Sequence, residues 1–371
     1  MRRPTTQPTG DDATPAAWTS ALEYAVDRGR LAPSVHNTQP WTFLLFPDRL
    51  ELRADRSRQL AVLDPSGREL VQSVGAALLN VRAALAARSF AVTVERLPAA
   101  DEPDLLAVIR PCAGIPDAAL ARLDRVAHRR HTNRRPFSAG TVPEGVLAGL
   151  VDVVAMEDTL LVPVRGQEQR RLVAELTQEA DHRQNADPAY LAELRHWTNR
   201  RPAEGDGVAA DAVPFTAGKH ADPVPLRDFD TRGAGALPSR TGSGTDETLL
   251  LLATGQDDAD AWLRSGEALE RLLLELTRLD WVAGPVTQSL ELPSTRARLR
   301  GLTGSAYPQM LLRVGLASPT GPSASRPRRG VVRNSGRPGP SQPPRELPTL
   351  HPTTQPDHRG VSDGRGGTTW L

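Results

Sequence analysis

The chain has 371 residues, which at ~100–200 residues per domain suggests two domains or one large one, with a sizeable core. Its 45 basic and 44 acidic residues nearly balance, whereas a protein that works mainly by binding nucleic acid normally has a larger basic excess. Cys112 is the single cysteine, which excludes an intrachain disulfide, a cysteine zinc cluster and a CxxC redox pair. The N-terminus lacks the apolar region of a signal peptide, and no apolar run reaches the ~18–20 residues of a membrane span. We therefore expect a cytoplasmic protein with neither nucleic acid nor membrane as partner.

Three stretches lack the apolar periodicity of packed elements. Residues 1–15 are polar and rich in Pro and Thr, which predicts a disordered arm. Residues 331–371 belong to a Pro- and Gly-rich C-terminal region, which predicts a disordered tail. Residues 203–245 are rich in Gly, Ala, Asp and Pro. A loop of that length inside a compact domain is generally a linker or a lid, and the composition alone does not decide between the two.

Between these stretches the apolar pattern predicts regular elements in chain order. A helix is expected over 16–28, where apolar residues share one face and Gly29 follows. A longer helix is expected to begin with Asp64 at its N-cap and Pro65 at its first position. The same reasoning predicts strands at 90–94 and 105–109, and helices at 117–129, 143–155, 167–183 and 188–199.

An internal repeat is the most informative feature of the organisation. The run at 73–98 has the layout of the run at 264–293, and an apolar strand follows each. Each copy has Gly-x-Ala-Leu near the start of a long amphipathic helix and a stretch that ends in Leu-Pro. The ordered matches predict two copies of one α+β unit packed as a pseudo-dimer. We assign residues 16–115 to the first half and 116–330 to the second, and expect a monomer because the dimer is fused within one chain.

Several common catalytic motifs are absent from the sequence, including HExxH, GxSxG and GxxxxGK[ST]. Gly233 and Gly235 are followed by Leu-Pro, which cannot open the helix that a dinucleotide fingerprint needs. His128 and His131 have i, i+3 spacing, but the arginines around them oppose a metal cation. We therefore predict no metal site.

The first candidate site is LAPSVHNTQPW at 31–41. Pro33 and Pro40 fix two backbone angles. Between them lie four polar side chains: Ser34, His36, Asn37 and Gln39. A rigid polar loop of this kind suits recognition of a heteroaromatic ring edge or a polyol. The alternative is a turn between helices in which Ser34 caps the next segment, and the residues alone do not decide between the two.

The second candidate site is HRRHTNRRPF at 128–137. Its four arginines and one threonine hydroxyl could surround a phosphate with charge-assisted bidentate hydrogen bonds. The alternative is a solvated basic face, which is the more common role of an isolated arginine cluster. The position of Thr132 between the charges, and the apolar Pro136 and Phe137 that end the segment, favour the phosphate site.

With these two motifs the chain resembles the FMN-dependent nitroreductase superfamily, and most closely its fused, Acg-like branch. In ordinary members an RRSxRxF motif holds the flavin phosphate and ribityl chain, and a PSxxNxQPW motif from the partner subunit contacts the ring. The ring motif matches at Pro33, Ser34, Asn37, Gln39, Pro40 and Trp41, and the phosphate motif at Arg130, Thr132, Arg134 and Phe137. Their order is reversed here, with one motif in each half, as in a fused pseudo-dimer. The resemblance covers roughly residues 16–330, and it implies that the stretch at 203–245 forms a lid over the flavin.

The resemblance implies an α+β nitroreductase-like fold that is internally duplicated and holds one FMN per chain. The FMN-binding residues that it implies are Pro33, Ser34, Val35, His36, Asn37, Gln39, Arg130, Thr132, Arg134, Thr287, Gln288, Arg328 and Arg329. In this family the cofactor carries the chemistry, so no catalytic acid, base or nucleophile is assigned.

The activity implied by the resemblance is ping-pong electron transfer from NAD(P)H, through FMN, to a small-molecule acceptor such as a nitroaromatic or a quinone. One alternative is a flavin-binding protein with little turnover, which stores FMN under its lid. Another is a protein without flavin, in which the arginine cluster is only a surface.

Overall fold

The computed structural model describes residues 14–134, 137–138, 140–198, 200, 202–208, 224–229, 247–317 and 323–334, with two short strands farther on. Residues 1–335 form one compact unit, and residues 336–371 form another. In the second unit, Val361–Ser362 pairs antiparallel with Thr368–Thr369. Most of the predicted arm, and most of the predicted tail, lie outside the described residues.

The first unit mixes helices and strands, which confirms the α+β class. Its helices are α1 (Pro15–Gly29), α2 (Arg68–Ala87), α3 (Ala118–Asp124), α4 (Glu144–Ala155), α5 (Gln167–Asn185), α6 (Pro188–Thr198), α7 (Ala259–Arg278), α8 (Gln288–Glu291) and α9 (Pro293–Leu299). Its strands are β1 (Trp41–Leu45), β2 (Leu50–Ala54), β3 (Val92–Arg96), β4 (Leu105–Pro111), β5 (Leu160–Val164), β6 (Thr248–Thr254), β7 (Val282–Pro285), β8 (Tyr307–Gly315) and β9 (Val332–Asn334).

The strands form two sheets that repeat one topology. The first has the order β3-β4-β2-β1-β9 and the second the order β7-β8-β6-β5. Neighbours are antiparallel, except that β9 runs parallel to β1. A long helix joins equivalent strands in each sheet: α2 lies between β2 and β3, and α7 between β6 and β7. The register shifts after Leu52 in one sheet and after Leu252 in the other.

Helices α2 and α7 cross at a pair of glycines, because only glycine allows their backbones to come this close. A Cβ added at Gly75 would lie 2.1 Å from the carbonyl oxygen of Leu263, and one at Gly266 would lie 2.0 Å from that of Gln72. The two glycines are the glycines of the repeated Gly-x-Ala-Leu motif, and the carbonyls belong to residues three positions earlier in each helix. The contact is therefore reciprocal, as at the axis of a two-fold dimer.

The core lies on one face of the first sheet and on both faces of the second. In β6, Leu250 and Leu252 pack towards α4 and α7, whereas Leu249 and Leu251 pack towards α5, α8 and α9. The alternation follows from the period of two along a strand. Helix α2 is apolar and long enough to span a membrane, but 89% of that stretch is buried in the fold, as in a core helix.

The predicted start of α2 is wrong. The helix begins at Arg68, after Gly67 with φ 77°, and Pro65 precedes it. Asp64 still serves the helix end, because its carboxylate accepts a hydrogen bond of 2.9 Å from the backbone N–H of Leu70. A turn closed by Gly67 thus separates the capping side chain from the helix.

The predicted boundaries also need correction at two places. Helix α1 starts at Pro15, so the arm ends one residue earlier than expected. Residues 331–334, at the start of the predicted tail, belong to the fold, because Val331 is buried and β9 pairs with β1. The backbone N–H of Phe43 donates to the carbonyl oxygen of Val331 over 2.8 Å. The first sheet therefore contains a strand from the C-terminal side of the second half.

Candidate functional site

A cavity opens where the two halves meet. It contains about 1020 Å³ not filled by protein atoms, part of which is open to solvent. It is lined by the loop at 33–36, the first turns of α2 and the segment at 130–134. Residues of α7, β7, β8, the turn at 287–288 and the segment at 226–229 complete the lining. Both sequence motifs therefore reach the same cavity.

The loop at 33–41 has an unusual backbone. His36, Asn37 and Gln39 have φ of 45°, 55° and 50°, in the left-handed region that residues other than glycine seldom adopt. Ser34 holds the loop closed, because its Oγ accepts a hydrogen bond of 2.9 Å from the N–H of Gln39. The backbone of Val35 is fixed to α2 by a hydrogen bond to Ser73 Oγ of 3.2 Å. Strain of this kind is typical of functional loops.

Asn37 and Gln39 do not line the cavity, although the resemblance places them among the FMN-binding residues. Asn37 Nδ2 donates to the carbonyl oxygens of Gly207 and Ala324, each over 3.0 Å. The side chain of Gln39 donates to Gly205 and accepts from the N–H of Arg326, over 2.7 and 2.8 Å. These two side chains hold the loop in place, while Pro33, Ser34, Val35 and His36 face the cavity.

The segment at 130–134 is fixed along β7. The N–H of Asn133 donates to the carbonyl oxygen of Ala283 over 3.0 Å. Arg130 is buried, with its Nε 3.3 Å from Glu270 Oε1 and an Nη donating to the carbonyl oxygen of Leu31. Thr132 lines the cavity beside them. Arg130 and Thr132 are thus part of the cavity wall, whereas Arg129 of the same segment is exposed.

Arg134 is the notable cation of this wall. Among the described residues it forms no ion pair, and its guanidinium lies 5.2 Å from the centre of the Phe229 ring. Burial, together with the charge of Arg227, lowers the pKa of Arg134 to about 10, so it remains protonated at neutral pH. A desolvated guanidinium without a counter-charge is costly, and an anionic ligand would supply that charge.

Four cavity residues were missed by the sequence reasoning. Arg227 pairs with Glu291, hydrogen-bonds Tyr190 Oη, and donates to Thr287 Oγ1 over 3.3 Å. Phe229 lies beside it. Both come from the predicted lid at 203–245, where the Gly- and Pro-rich composition hid them. Within 203–245 the structure describes only residues 203–208 and 224–229, so the lid prediction otherwise lies outside the described residues.

The other two missed residues are Glu69 and Arg313. Glu69 lies on the first turn of α2, where burial and the nearby Glu291 raise its pKa to about 8. Arg313 on β8 is buried and pairs with Glu247 at 3.0 Å. Both sit in apolar helix or strand patterns that gave no sign of a site.

The remaining predicted ligands fall into two groups. Thr287 and Gln288 line the cavity, and Gln288 is buried. Arg328 instead contacts α1, where it pairs with Asp27 at 2.5 Å and with Glu23. Arg329 is exposed and is not a cavity residue. Within the described ranges no three His, Cys, Asp or Glu side chains form a metal-binding group.

Comparison with known proteins finds relatives of this chain, although no family model matches it. A Mycobacterium tuberculosis protein named as an NAD(P)H nitroreductase, Rv3131, is 36% identical over 77% of this chain and 82% of its own. The nitroreductase acg of the same organism is 31% identical over 81% of this chain and 90% of its own. A solved Anabaena variabilis structure named as a nitroreductase has 10% identity and a TM-score of 0.41, over 85% of this chain and 90% of its own. The chain therefore belongs to the nitroreductase family, among its Acg-like members.

Proposed function

We propose that the cavity binds one FMN per chain and that the protein is an NAD(P)H-dependent oxidoreductase. The observation that carries the proposal is Arg134, a half-buried cation in the cavity with no ion pair among the described residues. His36 supports it, because its Nδ1 is buried and also lacks a hydrogen-bond partner there. An unpaired cation and an unused polar atom fit a ligand with a phosphate and hydroxyl groups.

Each part of the cavity has a role in this proposal. Arg130, Thr132 and Arg134 would hold the FMN phosphate, and Pro33, Ser34 and the turn at 287–288 would contact the ring. When bound, FMN would accept hydride from NAD(P)H and pass electrons to a nitroaromatic or quinone. The names of the mycobacterial relatives support NAD(P)H as donor. The protein's own part is to orient the cofactor and to supply positive charge around it.

Titration of the protein with FMN and with riboflavin tests the phosphate assignment. Losing one charge-assisted contact costs ~1.5–3 kcal/mol, so Arg134→Ala should weaken FMN roughly 10- to 150-fold and riboflavin, which has no phosphate, far less. Arg129→Ala is the matched control, since Arg129 is exposed in the same segment and pairs with Asp280. Equal losses for both ligands in Arg134→Ala would mean that the arginine acts only through folding.

A second candidate function is storage of FMN with little turnover. The observation that favours it is that Leu226, Arg227 and Phe229 of the predicted lid already form part of the cavity wall. A lid over the ring would prevent nicotinamide from stacking on it. Anaerobic mixing of the FMN-loaded protein with NADPH separates the two candidates. Rapid bleaching of the flavin absorbance supports the oxidoreductase, and a flavin that stays oxidised supports storage.

A further inference from the structure

His36, Arg134 and Arg227 surround one aromatic ring at the wall of the cavity. The Phe229 ring centre is 5.5 Å from the His36 ring centre. The guanidinium carbons of Arg134 and Arg227 lie 5.2 and 6.0 Å from it. The three polar groups come from three separate segments, at 33–36, 130–134 and 224–229. The fold therefore brings one imidazole and two guanidinium groups around a single ring at the cavity wall.

His36 is held in an unusual state at this point. Only 7% of the residue is exposed, and its Nδ1 lacks a hydrogen-bond partner among the described residues. Its backbone has φ 45°, so the loop accepts strain to place the ring there. Burial, with the charges of Arg227 and Arg134, lowers the pKa of His36 well below its ordinary value. The imidazole is therefore neutral in the free protein at neutral pH.

We propose that His36 and Arg227 complete the Arg134 site as a phosphate monoester site, and that His36 takes up a proton when the phosphate binds. This proposal rests on the function proposed above, since the phosphate is that of the bound nucleotide. A dianion beside the imidazole favours its charged form and removes the repulsion by the two arginines. The protonated ring has two N–H donors, so the unpartnered nitrogen gains an acceptor.

Arg227 contributes positive charge to this site, although it forms an ion pair. It pairs with Glu291, yet its charge still acts on both His36 and Arg134 and lowers the pKa of each. A phosphate bound at this point would contact two arginines. Arg134 has no ion-pair partner among the described residues, and Arg227 is paired with Glu291. The predicted lid thus supplies a specificity residue, because its arginine favours ligands that carry a phosphate.

Other titratable groups could exchange protons on binding and must be separated from His36. Glu69 faces the same cavity from α2, and His131 lies in the arginine segment. Glu291 is on α8 and pairs with Arg227. The variant Glu69→Gln serves as the control for the cavity carboxyl. The variant His36→Gln keeps a side chain that forms hydrogen bonds and removes the titration.

Isothermal titration of the full chain with FMN, in two buffers of different ionisation enthalpy, counts the protons directly. Between pH 6.5 and 8.5 we expect uptake of up to one proton per FMN, and none with riboflavin. The sign follows from linkage: the FMN dissociation constant should rise with pH, by up to tenfold per unit, and level off above the pKa of the complex. The lower limit avoids the second ionisation of the phosphate itself, near about pH 6.

The outcome for His36→Gln decides the proton's position. We expect uptake to disappear in this variant and to persist in Glu69→Gln. Uptake that is unchanged in His36→Gln would overturn the proposal, while FMN binding dependent on Arg134 would leave the proposed function standing. If His36→Gln fails to fold, NMR titration of the wild-type imidazole signals gives the answer. One of the eight histidines should become protonated on adding FMN but not riboflavin.

Arg227 needs a variant that leaves no buried charge unpaired. The double variant Arg227→Gln with Glu291→Gln removes both partners of the ion pair. It should weaken FMN by roughly tenfold or more and leave riboflavin within a few-fold. FMN affinity equal to that of the wild type would overturn the role of Arg227. Proton uptake seen with NADPH on the FMN-loaded protein, and not with FMN itself, would assign the site to the 2′-phosphate of the dinucleotide.

Discussion

Glu270 is the residue whose environment bears most directly on the arginine motif. It lies on α7 with no exposed surface, 3.3 Å from Nε of Arg130. Burial raises its pKa to about 7, although the neighbouring Arg130 and Asn80 act in the opposite direction. Ionised Glu270 therefore holds Arg130 in the wall at a cost, because a buried carboxylate is poorly solvated.

This cost predicts a pH dependence of stability. Because the folded-state pKa lies above the unfolded value, folding binds a proton between about pH 4.5 and 7, and stability falls with rising pH across that window. Glu270→Gln removes this decline. The unfolding free energy of the variant minus that of wild type should increase by about 2–4 kcal/mol from pH 5 to pH 8, measured by urea unfolding.

Asp257→Asn gives the opposite sign as a control. Arg296 and Trp262, which hydrogen-bond the Asp257 carboxylate, hold its pKa at about 2 despite partial burial. Its contribution to stability is present at neutral pH and is lost as pH falls through the window from 3.8 to about 2. Parallel pH profiles for wild type and Glu270→Gln would mean that Glu270 does not titrate between pH 5 and 8.

For single residues, the sequence predicts where charged side chains cluster better than it predicts which residues they contact. The spacing of Arg130, Thr132 and Arg134 within one segment was enough to propose a phosphate site, and the structure brings all three to one cavity. The role of Gln39 was not predictable, because its partners Gly205 and Arg326 are distant in the chain. Arg227 was hidden for the same reason, since only the fold brings it beside His36.

The crossing of α2 and α7 is the clearest sign of how the two elements are related. Equivalent glycines meet equivalent carbonyls, each helix joins equivalent strands, and each sheet has its register shift at an equivalent leucine. Independent origins would have to reproduce all three features. We infer that the two halves arose by duplication and pack as a two-fold dimer does.

The close contact of α2 and α7 at their glycines predicts that two alanine substitutions lower the stability by similar amounts. Alanine at Gly75 or Gly266 places a methyl group against a backbone carbonyl, which cannot move without shifting a helix. The overpacking cost of ~1–3 kcal/mol should exceed the gain in helix propensity, so each variant should be less stable, by similar amounts. Urea unfolding of the two variants measures the cost.

Gly149→Ala is the matched control for this experiment. Gly149 lies in the interior of α4, and no atom lies within 4 Å of a Cβ placed there. Alanine at this position should stabilise the protein by about 0.5–1 kcal/mol, because only the propensity term remains. If Gly75→Ala also stabilised the protein, the helices would not be in backbone contact at that residue.

Helices were predicted from sequence more completely than sheets. Periodicity located α1, α4, α5 and α6 to within two residues at each end, since each has one buried face. It gave no sign of β9, whose three residues follow a Pro- and Gly-rich segment and are defined only by pairing with β1. The end of α3 was also misplaced: the helix stops at Asp124, well before residue 129.

In the part of the chain that the structure describes, the two sheets differ at one edge. In the first, β9 covers β1, and the N–H of Phe43 points outward to Val331. The equivalent of Phe43 is Leu161, because Phe43 pairs with Leu52 and Leu161 with Leu252. Two residues farther on, Pro163 therefore has its nitrogen on the outer side of β5. Proline removes the donor that another strand would need, so this edge resists strand addition by a second chain.

If the two halves pack as a fused dimer, as we infer, the protein should work as a single chain. Only one complete set of the two motifs exists, the loop at 33–41 and the segment at 128–137, so a second FMN has no equivalent site. Light scattering on a sizing column should give the mass of one 40.0 kDa chain, and flavin released on denaturation should equal about one FMN per chain. Two FMN per chain would contradict the single site. One FMN per pair of chains, in a species of twice the mass, would show that the site needs a second copy after all.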